Sequence, residues 1–147
     1  MNPEAGVVET HLRVRYSETD QMRIVYHAHY LVWFEIGRTE WCRAAGLPYA
    51  GMEKAGLFIP VTRAECAFRR RSSYDDPIRV RTRMAEIGGR GCTFRYEVCN
   101  PSGEPLADGA TSPVFTDPPG KPRSAPEEVP RALEAVRGGR RSPARRV

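Results

Sequence analysis

No apolar run in the chain approaches the ~20 residues that cross a bilayer. The opening residues, MNPEAGVVETHLRV, lack a basic segment followed by an apolar core. Neither a membrane span nor a secretory signal is expected, and a cytoplasmic location follows. Cysteine is sparse: Cys42, Cys66, Cys92 and Cys99 stand one by one, with no CxxC. A chain of 147 residues is long enough to fold around one core without staples, so free thiols in a reducing compartment are expected. A metal site needs tighter Cys/His clustering than this, and none is expected. A Gly-rich phosphate loop, GxSxG, HExxH and internal repeats are all missing.

What is present is ordinary globular composition, 40% apolar and 28% charged, with a net charge of +5. The charge is uneven. From Asp117 onward eight Lys/Arg face four Asp/Glu, so the tail supplies four of the five positive charges. The rest of the chain is nearly neutral, and binding of nucleic acid is not expected of it.

Residues 1–10 carry Pro, Gly and Glu and are expected to fray. His11 to Tyr16 alternates, with Leu12, Val14 and Tyr16 on one face, and reads as a strand. Ser17-Glu18-Thr19-Asp20 breaks the alternation as a polar turn. Tyr30 to Ala45 follows with Tyr30, Trp33, Phe34, Gly37, Trp41 and Ala44 at helical spacing, leaving Glu35, Arg38 and Arg43 mostly on the other side. Gly46 and Pro48 supply the stop, and a shorter helical turn is expected over Tyr49–Ala55.

The period then changes. Ile59–Phe68, Ile78–Met84, Cys92–Cys99 and Leu106–Thr116 read as strands, with Gly109 at a bulge or close contact. Tyr74–Pro77, Gly88–Gly91 and Asn100–Gly103 read as tight turns. Short hairpins force antiparallel neighbours. The expectation is an α+β domain over residues 11–118, one long helix against five antiparallel strands. Residues 119–147, rich in Pro, Gly and Arg, read as a largely disordered tail, with a helical turn or two at Glu127–Val136.

Chemistry is sought in Tyr16–Trp41. A carboxylate in a turn, such as Asp20, most often caps a helix or closes an Asx-turn. An ionised carboxylate also serves as a nucleophile or a general base. His27 and His29 are two residues apart and do not share a helical face, which argues against a two-histidine metal site. A helix entrance offers unpaired N–H groups and a positive dipole end that polarise a carbonyl or hold an oxyanion.

The run Arg15-Tyr16-x-Glu18-Thr19-Asp20, then Val25-Tyr26-His27-Ala28-x-Tyr30, then Phe34-Glu35-x-x-Arg38-Thr39-Glu40, resembles the 4-hydroxybenzoyl-CoA thioesterase family. It is most similar to the family's bacterial short-chain acyl-CoA thioesterase branch. The resemblance covers roughly residues 10–118, with Pro118 in a DP dipeptide the family often shows. It implies a hotdog fold, in which a five-stranded antiparallel sheet wraps a long helix. It also implies hydrolysis of a short-chain or aromatic acyl-CoA without cofactor, and assembly as a homodimer or homotetramer.

Carried over by motif, Asp20 is the catalytic carboxylate and the His27 N–H polarises the thioester carbonyl. The His27 side chain orients the leaving group or water. Tyr26 and Tyr30 line the acyl site, and Glu35 supports it. Where the family commonly has glycine in a DxxG turn, this chain has Arg23, which narrows the pocket or offers a cation to the substrate. Arg63, Arg69, Arg70 and Arg71 are candidates for the CoA phosphates. Two alternatives remain: an acyl-carrier-protein thioesterase, and a non-catalytic binding module using its basic tail.

Overall fold

The computed structural model describes residues 6–137. Five strands form one antiparallel sheet: β1 Val8–Arg13, β2 Val61–Phe68, β3 Pro77–Ile87, β4 Cys92–Cys99 and β5 Pro105–Pro113. Their spatial order is β1-β3-β4-β5-β2. The long helix α1, His29–Ala44, is followed by a short one, α2, Tyr49–Lys54. This is the α+β arrangement expected, a sheet packed on one long helix.

Local chemistry sets most of these boundaries. Gly46 adopts φ +78 just past α1, and the Leu47 N–H donates back to the Cys42 carbonyl at 2.9 Å. This is the left-handed cap that glycine permits at low cost. The β3 alternation turns Ile78, Val80, Thr82 and Met84 inward onto α1. Trp33, Phe34 and Trp41 from the helix are wholly buried against them. Phe34 stacks on Tyr96 at 4.3 Å, and Trp41 meets Phe94 edge-on at 5.4 Å. Burying each such ring contributes about 1.5–3 kcal/mol.

Two glycines let helix and sheet approach. A Cβ on Gly37 would fall 2.4 Å from Thr82 Oγ1, and one on Gly109 would fall 2.1 Å from the Glu65 carbonyl oxygen and 2.8 Å from the Phe34 ring. The close contact expected at Gly109 is therefore present.

Several expectations are corrected. Part of the segment expected to fray is strand: Val8–Thr10 pair with Thr82–Val80. Strand β1 ends at Arg13, and Tyr16 opens a 3-10 turn with its ring 78% exposed. Arg38 does not lie opposite the apolar face. It follows Phe34 by four residues and precedes Trp41 by three, which places it on their face, and it is 7% exposed. Its guanidinium donates to the Tyr49 hydroxyl, to Thr111 Oγ1 at 3.1 Å and to Tyr96 Oη at 3.3 Å. Within the supposed tail, α3, Glu128–Arg137, packs Val129, Leu133 and Val136 into the core, chiefly against β3. Residues 138–147 of that tail, and residues 1–5, lie outside the described residues.

Candidate active site

The loop between β1 and α1 is held from within. Glu18, 2% exposed, accepts hydrogen bonds from Trp33 Nε1 at 2.8 Å and from the Arg15 N–H at 2.8 Å. Burial pushes the Glu18 carboxyl up. The two hydrogen bonds and the Arg15 charge outweigh it and leave the carboxyl below its ordinary value. The Glu18 carbonyl accepts the Tyr26 N–H at 2.9 Å, so both ends of the loop are tied at one residue.

Between these ties the chain makes a small hairpin. Thr19 bridges Val25, the Asp20 N–H donates to the Ile24 carbonyl, and the Arg23 N–H donates to the Asp20 carbonyl. Arg23 sits at φ +65, the left-handed angle that glycine adopts freely and arginine at a cost of about 1 kcal/mol. The left-handed turn at this position is thus made by an arginine.

Asp20 is half-buried. Its Oδ1 accepts the Met22 N–H at 2.8 Å, an Asx-turn, while Oδ2 accepts no hydrogen bond among the described residues. The turn role and a chemical role therefore use different oxygens.

The chain then enters α1 through Tyr26–Ala28. The carbonyls of Tyr26, His27 and Ala28 accept the N–H groups of His29, Tyr30 and Leu31. The N–H groups of His27 and Ala28 donate to nothing among the described residues. They lie at the positive end of a 16-residue helix.

Asp20, His27, Tyr30, Arg69, Arg70 and Arg71 line one recess of about 320 Å³, together with Ile24, Val25 and Phe68. Tyr30 contributes its ring and anchors its hydroxyl on Ser72 Oγ at 3.0 Å. Burial pushes the Tyr30 phenol up, with the Ser72 hydrogen bond acting against it. Phe68, at the end of β2, closes one wall edge-on to Tyr30 at 5.3 Å and to His27 at 6.2 Å.

Other expected residues stand elsewhere. Tyr26 lies outside the recess, its ring 4.4 Å from that of His27. Arg23 is exposed and does not line the recess. Glu35 is exposed on α1 and accepts from Thr39 Oγ1 at 3.1 Å. Arg63 extends from β2 away from the recess, facing Glu65 at 4.0 Å. Arg69 and Arg70 line it but are ion-paired, Arg69 with Asp108 at 2.9 Å and Arg70 with Glu104 at 3.0 Å. Among the described residues Arg71 has no ion pair, and no three His, Cys, Asp or Glu side chains converge.

Sequence reasoning passed over Glu18, Phe68 and Ser72. Glu18 belongs to the quoted motif, but its acceptor role depends on Trp33, fifteen residues on. Phe68 and Ser72 meet Tyr30 across about forty residues, a separation that periodicity does not report.

Comparison with known proteins identifies the family and the fold. The profile of the thioesterase-like superfamily matches residues 14–133. YneP of Bacillus subtilis, a provisionally assigned acyl-CoA thioesterase, is 37% identical over 111 residues, covering 76% of this chain and 80% of the relative. A hypothetical protein of Thermus thermophilus superposes with a TM-score of 0.83 at 38% identity, covering 87% of this chain and 98% of that one. The DHNA-CoA thioesterase of Staphylococcus aureus superposes with a TM-score of 0.84 at 28% identity, covering 88% and 90%.

Proposed function

Given that the chain belongs to the thioesterase-like superfamily and is a thioester hydrolase, we propose that it cleaves the thioester of a short-chain or aromatic acyl-CoA at the recess beside Asp20. The observation that carries this reading is the pairing of a carboxylate with free helix-entrance N–H groups. Asp20 and His27 line the same recess, and Oδ2 of one and N–H of the other are uncommitted.

The thioester carbonyl oxygen gathers negative charge as its carbon is attacked. N–H groups at a helix N-terminus stabilise that charge without reorganising. Asp20 either attacks the carbonyl carbon, giving an anhydride that water then opens, or takes a proton from the attacking water. In both routes the C–S bond breaks, the thiolate leaves and is protonated, and the acid is released. The His27 ring lies beside the leaving group and orients it. Tyr30 and Phe68 present aromatic edges to the acyl group. The S. aureus neighbour, a thioesterase of DHNA-CoA by name, fits an aromatic preference.

The active unit is a homo-oligomer on this reading. Strand β2 ends the sheet with one edge unpaired, and Val61 and Phe68 are exposed along it. Pairing with a second copy would complete the ladder and cover both side chains. The described cysteines are all free, in keeping with a reducing, cytoplasmic setting.

The test is thiol release from a panel of acyl-CoAs by wild type and Asp20→Asn. Asparagine keeps an Oδ1 acceptor for Met22, so the turn survives while the charge is lost. Turnover is expected to fall by at least ~100-fold with unchanged thermal unfolding. A fully active Asn variant would remove Asp20 from the mechanism. Turnover of carrier-protein thioesters and not of any CoA ester would replace the carrier.

A further inference from the structure

The outer face of the sheet, away from α1, is a lattice of charge. The alternation that turns Ile78, Val80, Thr82 and Met84 inward sends Arg79, Arg81 and Arg83 outward. Most outward charges find partners: Arg79 lies 3.6 Å from Glu9, Arg81 lies 4.0 Å from Glu97, and Asp108 holds Arg69.

Arg83 and Arg95 are different. The β3–β4 register sets them directly opposite each other, and on its other side Arg95 faces Ala110. Neither has a carboxylate partner among the described residues. Side chains directly opposite across an antiparallel pair have Cβ atoms about 5 Å apart, a spacing at which like charges repel. Both are exposed, and both line a concavity of about 670 Å³ with Arg79, Arg81, Glu97 and Asp108. That size lies within the range of small-ligand sites.

This concavity adjoins the recess at Asp20. Asp108 lines the one, its ion-pair partner Arg69 lines the other, and the two are linked at 2.9 Å. Glu97 is opposite Asp108, and Arg95 is two residues further along β4, so the arginine pair begins roughly 8 Å from that link by strand spacing. Arg69 and Arg70, expected to meet phosphate, are already neutralised by Asp108 and Glu104. Among the described residues Arg71 stays unpaired within the recess, and the Arg83–Arg95 pair lies beyond these three.

An anion bridging two guanidinium groups is best a phosphate, whose oxygens match their donor forks. We infer that Arg83 and Arg95 form a phosphate-binding site that receives the phosphorylated nucleotide end of the CoA substrate, the pantetheine arm crossing the Arg69–Asp108 pair to the thioester at Asp20. The inference rests on the thioesterase reading. The same phosphate chemistry would also hold a free nucleotide, and the test separates the two.

KM is measured for an acyl-CoA and for the matching acyl-pantetheine, which lacks the nucleotide, on wild type, Arg83→Ala/Arg95→Ala and Arg83→Lys/Arg95→Lys. Adenosine 3′,5′-bisphosphate is added as inhibitor. The KM advantage of CoA over pantetheine is expected to shrink about tenfold in the Ala pair, with partial recovery in the Lys pair. Inhibition is expected to be competitive in wild type and lost in the Ala pair. An unchanged CoA advantage would overturn the site. Non-competitive inhibition, lost in the Ala pair, would overturn its assignment to the substrate in favour of a separate nucleotide. If wild type hydrolyses neither ester, the thioesterase reading fails by itself. Calorimetric binding of the bisphosphate to wild type and Ala pair then decides the site: loss in the variant supports it, and equal or absent binding overturns it.

Discussion

Replacing Glu18 with alanine is expected to cost about 3 kcal/mol of folding free energy. Two hydrogen bonds end on this carboxylate, from Trp33 Nε1 and the Arg15 N–H, both at 2.8 Å. Removing the acceptor leaves the indole N–H of a wholly buried tryptophan without a partner, at about 1–3 kcal/mol. The Arg15 N–H is left to water, and the vacated carboxylate volume adds a cavity term. Loss of the buried charge's own desolvation cost offsets part of this.

In a domain of this size about 3 kcal/mol lowers Tm by roughly 10 °C. Glu18→Gln keeps an oxygen for Trp33 and is expected to cost about 1–2 kcal/mol. The assay is urea unfolding followed by tryptophan fluorescence, at one protein concentration because assembly shifts apparent stability. The Glu18 carboxyl ionises more readily folded than unfolded, so its contribution is complete above its ordinary value of 4.5 and fades as pH falls through the lowered one. The stability gap between wild type and Glu18→Gln should therefore narrow below about pH 4.5. Since Glu18 ties both ends of the Asp20 loop, turnover should fall with stability. A Glu18→Ala protein within 0.5 kcal/mol of wild type would refute the reasoning.

Gly109→Ala places a methyl 2.1 Å from the Glu65 carbonyl oxygen and against Phe34, and should cost about 1–3 kcal/mol by overpacking, read from the urea midpoint. Phe68→Ala should leave the stability of an isolated protomer, measured at low protein concentration, within about 1 kcal/mol, because the residue is 51% exposed there. The same change should shift kcat/KM across an acyl-CoA panel towards bulkier acyl groups, and an unchanged ranking would remove Phe68 from the acyl wall. Burial pushes the thiols of Cys42 and Cys92 up to about 12, and that of Cys66 to about 11. Cys42 and Cys92, both buried, should react with a thiol dye at pH 8 only on unfolding, so fast labelling of either in the native protein would contradict their burial.

What the sequence by itself determined is local. Strand alternation at Ile78–Met84, the helical face of Trp33, Phe34 and Trp41, the glycine stop after α1 and the tight hairpins follow from side-chain period and backbone freedom over a few residues. The motif from Tyr16 to Glu40 carries the family because its residues are close in sequence, and it places Asp20 in the turn before the helix and His27 at the helix entrance.

The tertiary structure decided the rest. Arg38 lies inward because hydroxyls from α2, β4 and β5 meet its guanidinium, and α3 docks because its apolar side chains find β3. The recess is completed by Phe68 and the arginines after it, some forty residues beyond His27. The pairing of Arg83 with Arg95 follows from strand register. Each of these depends on which distant segments become neighbours, and that is fixed by how the whole sheet closes on the helix, not by any local pattern.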